Sequence, residues 1–239
     1  FYLIILTFIQ LYLGIFGGRS RMLGPCKKQD SECLQKTIND GFHVVFGGIP
    51  SRGVSSSDPL FEKVIDGNLS VLNYKFTNST VTGFKECTVK NSKIDIDALQ
   101  LYFEMNCPGL KSVGHYVISG KLAAVPVEGD GTYQLTTSEY SIPVNAKLKI
   151  IKDDTGKSYV NIKNFELKPK VLGPLKFEFD NLFNGQKDLS DAVHKFAHDN
   201  YNEVAELVQD PIFNAYIKSV SKNINAFLKT EPLQEIFID

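Results

Sequence analysis

The stretch LSDAVHKFAHDNYNEVAELVQDPIFNAYIKSVSKNINAFL, residues 189–228, decides how the rest of the chain is read. Leu189, Val193, Phe196, Tyr201, Val204, Val208, Ile212, Ala215, Val220, Ile224 and Phe227 recur at steps of mostly three or four residues. That spacing traces one face of an α-helix. Forty helical residues rise about 60 Å, whereas a compact chain of this length is only about 35 Å across. The helix must kink, or the molecule must be elongated along it. Asp210 suits a cap and Pro211 a first helical position, so the pair predicts a break there.

Nearly everything before this tract reads as strand. From about Leu69 the apolar period is two. A first hairpin pairs 81–94 with 99–107, where Leu99, Leu101, Phe103, Met105 and Cys107 share one face. A strand over 113–125 follows, and Glu128, Gly129, Asp130 and Gly131 read as a turn. Tyr133 and Leu135 are then in one phase and Ile142, Val144, Ala146, Leu148 and Ile150 in the other, which predicts a bulge near 140–143. After a turn at 153–156 the chain returns over 158–167, with a phase change near Asn164. Leu175, Phe177 and Phe179 alternate with Lys176, Glu178 and Asp180. Upstream, residues 31–46 read as a short helix capped by Ser31, with Leu34, Ile38, Phe42 and Val45 as its stripe. The expected class is α+β: a strongly curved antiparallel sheet, apolar on one face, wraps a long C-terminal helix, with a short N-terminal helix beside it. Residues 21–239 form a single domain on this reading.

The 239 residues carry a formal net charge of −1, which argues against a nucleic-acid partner. Residues 1–16 are uncharged and apolar, and Gly17, Gly18 and Ser20 follow. We read 1–20 as a signal peptide lacking its Met and basic n-region, cleaved between Gly17 and Ser20. A short membrane anchor is the rival reading, at the low limit of spanning length. The mature chain is then secreted and extracellular, without stable membrane insertion, and monomeric. Cys26, Cys33, Cys87 and Cys107 form an even set, so two disulfides are expected, with three possible pairings. Cys26 and Cys33 bracket a short loop. Cys87 and Cys107 each lie ten residues from Asp97, the centre of a turn signal, which places them opposite one another unless a bulge intervenes. The sequons Asn68-Leu-Ser70 and Asn78-Ser-Thr80 make Asn68 and Asn78 glycosylation candidates.

Catalytic patterns are missing from the sequence. Gly53-Val-Ser-Ser-Ser57 lacks the second glycine of a nucleophile elbow. Gly129-Asp-Gly131 is too short for a phosphate loop. His194 and His198 are four apart on the helix, but no third metal ligand accompanies them and no CxxC occurs. His43 and His115 stand alone in apolar stretches. We expect no enzyme, no cofactor and no metal.

Several stretches, in order along the chain, resemble the insect takeout / juvenile hormone-binding protein family. They are Pro25-Cys26 with Cys33, Gly48-Ile-Pro50 with Asp58-Pro-Leu60, Gly114-His-Tyr116 with Gly120-Lys-Leu122 and 126–131, Phe179-Asp-Asn-Leu-Phe-Asn-Gly185 with Leu189, and Glu231-Pro-Leu with Ile236-Phe237. The resemblance implies a tubular lipid-binding fold with a long hydrophobic tunnel. It also implies a Cys26–Cys33 disulfide and a secreted carrier of a small lipophilic ligand such as juvenile hormone, another terpenoid or a fatty acid. The Cys87–Cys107 pair lies outside the family pattern and rests on the hairpin alone. No ligand contact transfers from the resemblance. From the residues themselves, Phe103, Tyr116, Tyr133, Phe177, Phe179, Phe183 and Phe196 are the tunnel-wall candidates, with tyrosine hydroxyls available to a ligand's polar end. The alternative is a module that docks on lipid surfaces or proteins. The C-terminal helix interleaves Lys195, Lys218, Lys222 and Lys229 with Asp191, Glu203 and Glu206, so it offers no basic face for that role.

Overall fold

The computed structural model describes residues 23–238, so the apolar run read as a signal peptide lies outside the described residues. A two-residue strand β1 (Cys26–Lys27) precedes helix α1 (Ser31–Gly47). Ten strands follow: β2 (Leu60–Asn68), β3 (Leu72–Thr82), β4 (Thr88–Asp95), β5 (Gln100–Cys107), β6 (Lys111–Leu122), β7 (Val125–Thr137), β8 (Tyr140–Lys152), β9 (Ser158–Leu167), β10 (Lys170–Val171) and β11 (Leu175–Phe179). The C-terminal part is α2 (Lys187–Asp199), α3 (Tyr201–Leu228), α4 (Leu233–Ile236) and β12 (Phe237–Ile238). Asp30, not Ser31, caps α1: its carboxylate accepts from the Cys33 N–H at 3.0 Å.

The antiparallel meander is present, but it is creased into two sheets. One has the order β11-β7-β6-β3-β2, the other β10-β8-β5-β4 with β9 also paired to β8. Each long run of chain crosses from one sheet to the other, β3 into β4, β5 into β6, β7 into β8 and β10 into β11. The crossings lie side by side. Thr137 N–H donates to Leu110 O at 2.8 Å and Ser138 N–H to Pro174 O at 3.1 Å. The backbones touch there, since a Cβ on Gly83 would lie 2.1 Å from Gly109 O. Buried Asp58 holds the first crossing by accepting from the N–H groups of Gly83 and Lys85 at 3.1 and 2.8 Å. The phase change expected as a bulge near 140–143 is this crossing, at Ser138 and Glu139.

Three further expectations need correction or refinement. Gly129 and Gly131 are inside β7, not in a turn. A Cβ at Gly129 would meet the Tyr116 hydroxyl at 2.6 Å and one at Gly131 the Asp180 carbonyl at 2.4 Å, so both are glycine for close approach. The β6–β7 turn instead falls at Ala123 and Ala124, with Ala123 at φ 52°. The helical tract breaks at Asn200, not at Pro211. Asn200 leaves the helical region at φ −118°, ψ 36°, and its side-chain amide donates back to Phe196 O at 2.8 Å. Pro211 lies inside α3. It has no N–H to return to Leu207, and on the same turn the Tyr74 hydroxyl donates to Val208 O at 2.7 Å. Tyr74 itself lies over Gly67 of β2, where a Cβ would come within 2.0 Å of its ring. Finally, Cys87 and Cys107 are joined, with Cα atoms 4.1 Å apart, but not through a bulge-free hairpin. Asp95 pairs with Gln100, which shifts the turn half a residue past Asp97, and a register shift between Lys90 and Lys93 restores Thr88 opposite Asn106. The bulge makes the pairing rather than breaking it.

The inner faces of both sheets, α1, α2 and α3 form one buried cluster. A second cluster joins Leu23, Val45, Ile49, Val54, Phe227 and Ile236 near the two ends of the described chain. There β1 pairs in parallel with β12, Cys26 opposite Phe237, and Cys26 is bonded to Cys33 with Cα atoms 5.7 Å apart.

Candidate functional site

The interior seam is built by α3 and the two sheets. Along α3, Val204, Ile212, Tyr216, Val220 and Phe227 are buried, at steps of eight, four, four and seven residues that keep one helix face to the core. The strands present alternate residues to it, Tyr74 and Phe76 from β3, Leu135 from β7 and Phe177 from β11 on one sheet, Phe103 from β5 and Leu148 from β8 on the other.

Four apolar cavities follow one another along α3. The first, of about 50 Å³, lies between α2, Val204 and Val208 and the β2-side sheet, with Phe76, Phe177 and Phe179 in its wall. The second, of about 60 Å³, shares Leu135, Phe177 and Val208 with it and continues to Ile212 and Tyr216. The third, of about 20 Å³, borders Ile217, Val220 and Ile224. The fourth and largest, of about 130 Å³, shares Phe42, Phe103, Ile162 and Ile224 with the third. It is closed by α1, by Leu23 and by Ile236 and Phe237. From Val204 to Leu228 this series spans 25 residues, about 36 Å of helix. Apolar cavities of this kind stay dry and favour apolar guests.

Polar groups interrupt the seam at the crease. Tyr216 and Tyr133 flank Ser112, with hydroxyl oxygens 2.7 and 2.9 Å from its Oγ, and Tyr133 donates to Ser79 Oγ at 2.8 Å. All four are buried. Across the seam the Tyr140 hydroxyl donates to Gln209 Oε1 at 3.1 Å, and Gln209 Nε2 donates to Pro169 O at 3.0 Å. Burial pushes the Tyr140 and Tyr216 phenols well above the usual range, so both are neutral donors and acceptors.

The wall candidates separate on this map. Phe103 borders the third and fourth cavities, Phe177 the first two and Phe179 the first. Tyr116 and Tyr133 are buried in the sheet's own aromatic cluster: Tyr133 stacks on Phe76 with centroids 4.2 Å apart, and Tyr116 meets Phe179 edge-on at 4.7 Å. The Tyr116 hydroxyl is committed to Asp180 O at 2.6 Å. Phe183 and Phe196 are partly buried against the core and border none of the four cavities. Reading the sequence missed the contribution of α1. Its stripe of Leu34, Ile38 and Phe42 was legible as a helix face, yet nothing in the spacing says that this face closes the largest cavity.

His194 and His198 have a structural task. Both face the outer edge of β11, where the Phe179 N–H donates to His194 Nε2 at 3.0 Å and the Phe177 N–H to His198 Nε2 at 3.1 Å. His194 Nδ1 lies 2.8 Å from Ser190 O, which fixes its proton on Nδ1. The two rings thus cover an otherwise open sheet edge. Among the described residues no three His, Cys, Asp or Glu side chains form a metal-binding group, and no helix is long and apolar enough to cross a membrane.

Comparison with known proteins agrees with this architecture. Residues 4–238 match the family described as haemolymph juvenile hormone binding protein (JHBP). The circadian clock-controlled protein daywake of Drosophila melanogaster is 24% identical over 244 residues, covering 98% of this chain and 94% of that protein. Its counterpart in Drosophila yakuba is 25% identical over 226 residues, covering 90% and 86%. The crystal structure of Epiphyas postvittana Takeout 1 superposes with a TM-score of 0.84 at 27% identity, covering 91% of this chain and all of that one. The family match extends over nearly the whole chain, so the chain belongs to that family.

Proposed function

We propose that this member of the haemolymph juvenile hormone binding protein family is a secreted carrier that holds one small lipophilic ligand along the seam of α3. The ligand class is a terpenoid such as juvenile hormone, or a fatty acid. The observation that carries the reading is the row of four apolar cavities along α3, two on each side of the polar groups at the crease. Within each pair the cavities are separated by shared apolar side chains, Leu135, Phe177 and Val208 in one and Phe42, Phe103, Ile162 and Ile224 in the other, whose rotation joins them at little polar cost. Apolar ligand area removed from water contributes about 25 cal/mol per Å², enough for micromolar binding of a hormone-sized molecule after ordering costs. Function is binding without chemistry. The two disulfides and the haemolymph origin in the family's description support secretion. Asn68 and Asn78 are both exposed, as glycan acceptors would be.

The test uses protein secreted from insect cells. Native mass spectrometry and solvent extraction should find a co-purified lipid, and terpenoids or fatty acids should displace the apolar fluorophore N-phenyl-1-naphthylamine. A protein that carries no lipid and fails to bind the fluorophore is not a carrier.

A further inference from the structure

Resting on the reading that the chain is secreted, we propose that an N-glycan on Asn78, and not one on Asn68, covers an apolar patch around Phe61 and Val64 on the outer face of the β2-side sheet and keeps that edge from self-association.

β2 is the last strand of its sheet. It buries Leu60 and Ile65, yet Phe61 is 58% and Val64 39% exposed. Phe61 lies in register with Thr80, and Thr80 with half-buried Val113. Val64 lies in register with Thr77. A ring, branched methyl groups and threonines thus adjoin one another on the solvent side. Exposed Lys63 adds a charge, but it leaves the Phe61 ring more than half uncovered. An edge strand that presents apolar side chains is a template for association, and folded proteins blunt or cover such edges. A glycan is bulky and solubilising, so it suits that task.

Asn78 is placed to carry it. The register of β3 against β6 shifts between Thr77 and Thr80, and Asn78 in that bulge takes φ 50°. Ser79 turns inward and is fully buried, whereas Asn78 is exposed. β3 has a neighbour along both edges, so an exposed side chain in its middle leaves through the outer face. Asn78 is one residue from the partner of Val64 and two from the partner of Phe61. Diagonal cross-strand neighbours are about 7–8 Å apart, within reach of the first sugars of a glycan. The bulge of the other sheet offers a contrast. There Asn91, at φ 53°, spends its amide on Glu104 Oε2 at 3.0 Å and has no Ser or Thr two residues on. Asn78 has Thr80, which completes the sequon. Asn68 lies at the far end of β2, about 13 Å beyond Val64 and further from Phe61.

The experiment uses protein secreted from insect cells. Trypsin cuts after Lys63, Lys75 and Lys85, so the two sequons fall on separate peptides, and glycopeptide mass spectrometry should find Asn78 occupied. Asn78→Gln and Thr80→Ala each abolish the sequon, the second without touching the bulge residue, and Thr80→Ser retains it. The first two variants should elute from a sizing column as larger species, at concentrations where the parent protein and Thr80→Ser each give one peak. Adding Phe61→Ser to either should restore the single peak. A bare Asn78 in the secreted parent overturns the proposal and leaves the carrier reading intact. Unchanged elution of both sequon variants overturns it as well, and so does self-association that Phe61→Ser fails to relieve. Failure of the secreted parent to bind N-phenyl-1-naphthylamine overturns the carrier reading and leaves the glycan assignment standing.

Discussion

The two ends of the seam are built from different side chains, and they differ in what they leave empty. On the β2-side sheet, Tyr74, Phe76, Tyr133 and Phe179 lie ring against ring, with successive centroids 4.2 to 5.9 Å apart, and the cavity beside them is about 50 Å³. At the other end, Leu34, Ile38, Leu101, Leu148, Val160 and Ile224 meet beneath α1 with Phe42, Phe103, Phe227 and Phe237 spaced among them, and the cavity there is about 130 Å³. Flat rings stack and exclude space. Branched aliphatic side chains from a helix and a sheet meet at angles that leave gaps. Of the wall candidates chosen from the sequence, Tyr116, Tyr133 and Phe179 belong to this ring cluster and Phe177 borders the cavity beside it, so aromatic richness marked where the interior is full.

Removing a ring should expose the contrast most strongly. Phe76→Ala is expected to lower stability by about 3–5 kcal/mol, read from the denaturant midpoint, because its stacked neighbours cannot close the hole. N-phenyl-1-naphthylamine binding should survive wherever the variant is folded. Comparable loss of binding would show that the aromatic end holds the guest. Filling the aliphatic end should do the reverse. Ile38→Trp projects into the 130 Å³ cavity and should weaken fluorophore binding about tenfold or more, while unfolding free energy moves by only about 1 kcal/mol. Unchanged binding would place the guest elsewhere.

Alkaline titration gives the gentlest separation of the two ends. Burial first, then Asp180 and Asp130, push the Tyr116 phenol up to about 12. Burial pushes Tyr74, Tyr140 and Tyr216 up further. A raised folded-state value favours the neutral phenol. This contribution to stability is complete below the unfolded tyrosine value of about 10 and is lost as pH rises from there toward 12 and beyond. None of these four tyrosines borders the 130 Å³ cavity. Phenolate absorbance should therefore show exposed tyrosines titrating first, with the aromatic end following in a step that coincides with unfolding. Smooth titration of every tyrosine in one step near 10 would contradict the burial of this cluster.

Much of the fold was legible because its signals are local. Strands β9 and β11 stand where alternation placed them, and the phase change near Asn164 is a register shift against Lys147 and Leu148. The crease was not legible, since alternation along one strand records which face is apolar but not where its neighbours bend. Gly129 and Gly131 carried a turn signal because glycine serves turns and close approach alike. Pro211 carried a break signal because a proline penalty is local, whereas the contacts holding α3 through it come from Tyr74 and Tyr140, far away in sequence. For the site, apolar wall positions were visible, but empty volume depends on how faces meet. The polar cluster joins Ser79, Ser112, Tyr133 and Tyr216, whose spacing forms no motif.

The contacts among Gly67, Tyr74 and Val208 also constrain the order in which this sequence can drift. Alanine at residue 67 collides with the Tyr74 ring, so it becomes tolerable only after that ring has been replaced by something smaller. Replacing the ring also withdraws its hydroxyl from Val208 O, so the change loosens α3 as well as β2. In a lineage the two changes should accumulate as Tyr74, then Gly67. Relatives carrying a side chain at 67 opposite an intact tyrosine should be rare.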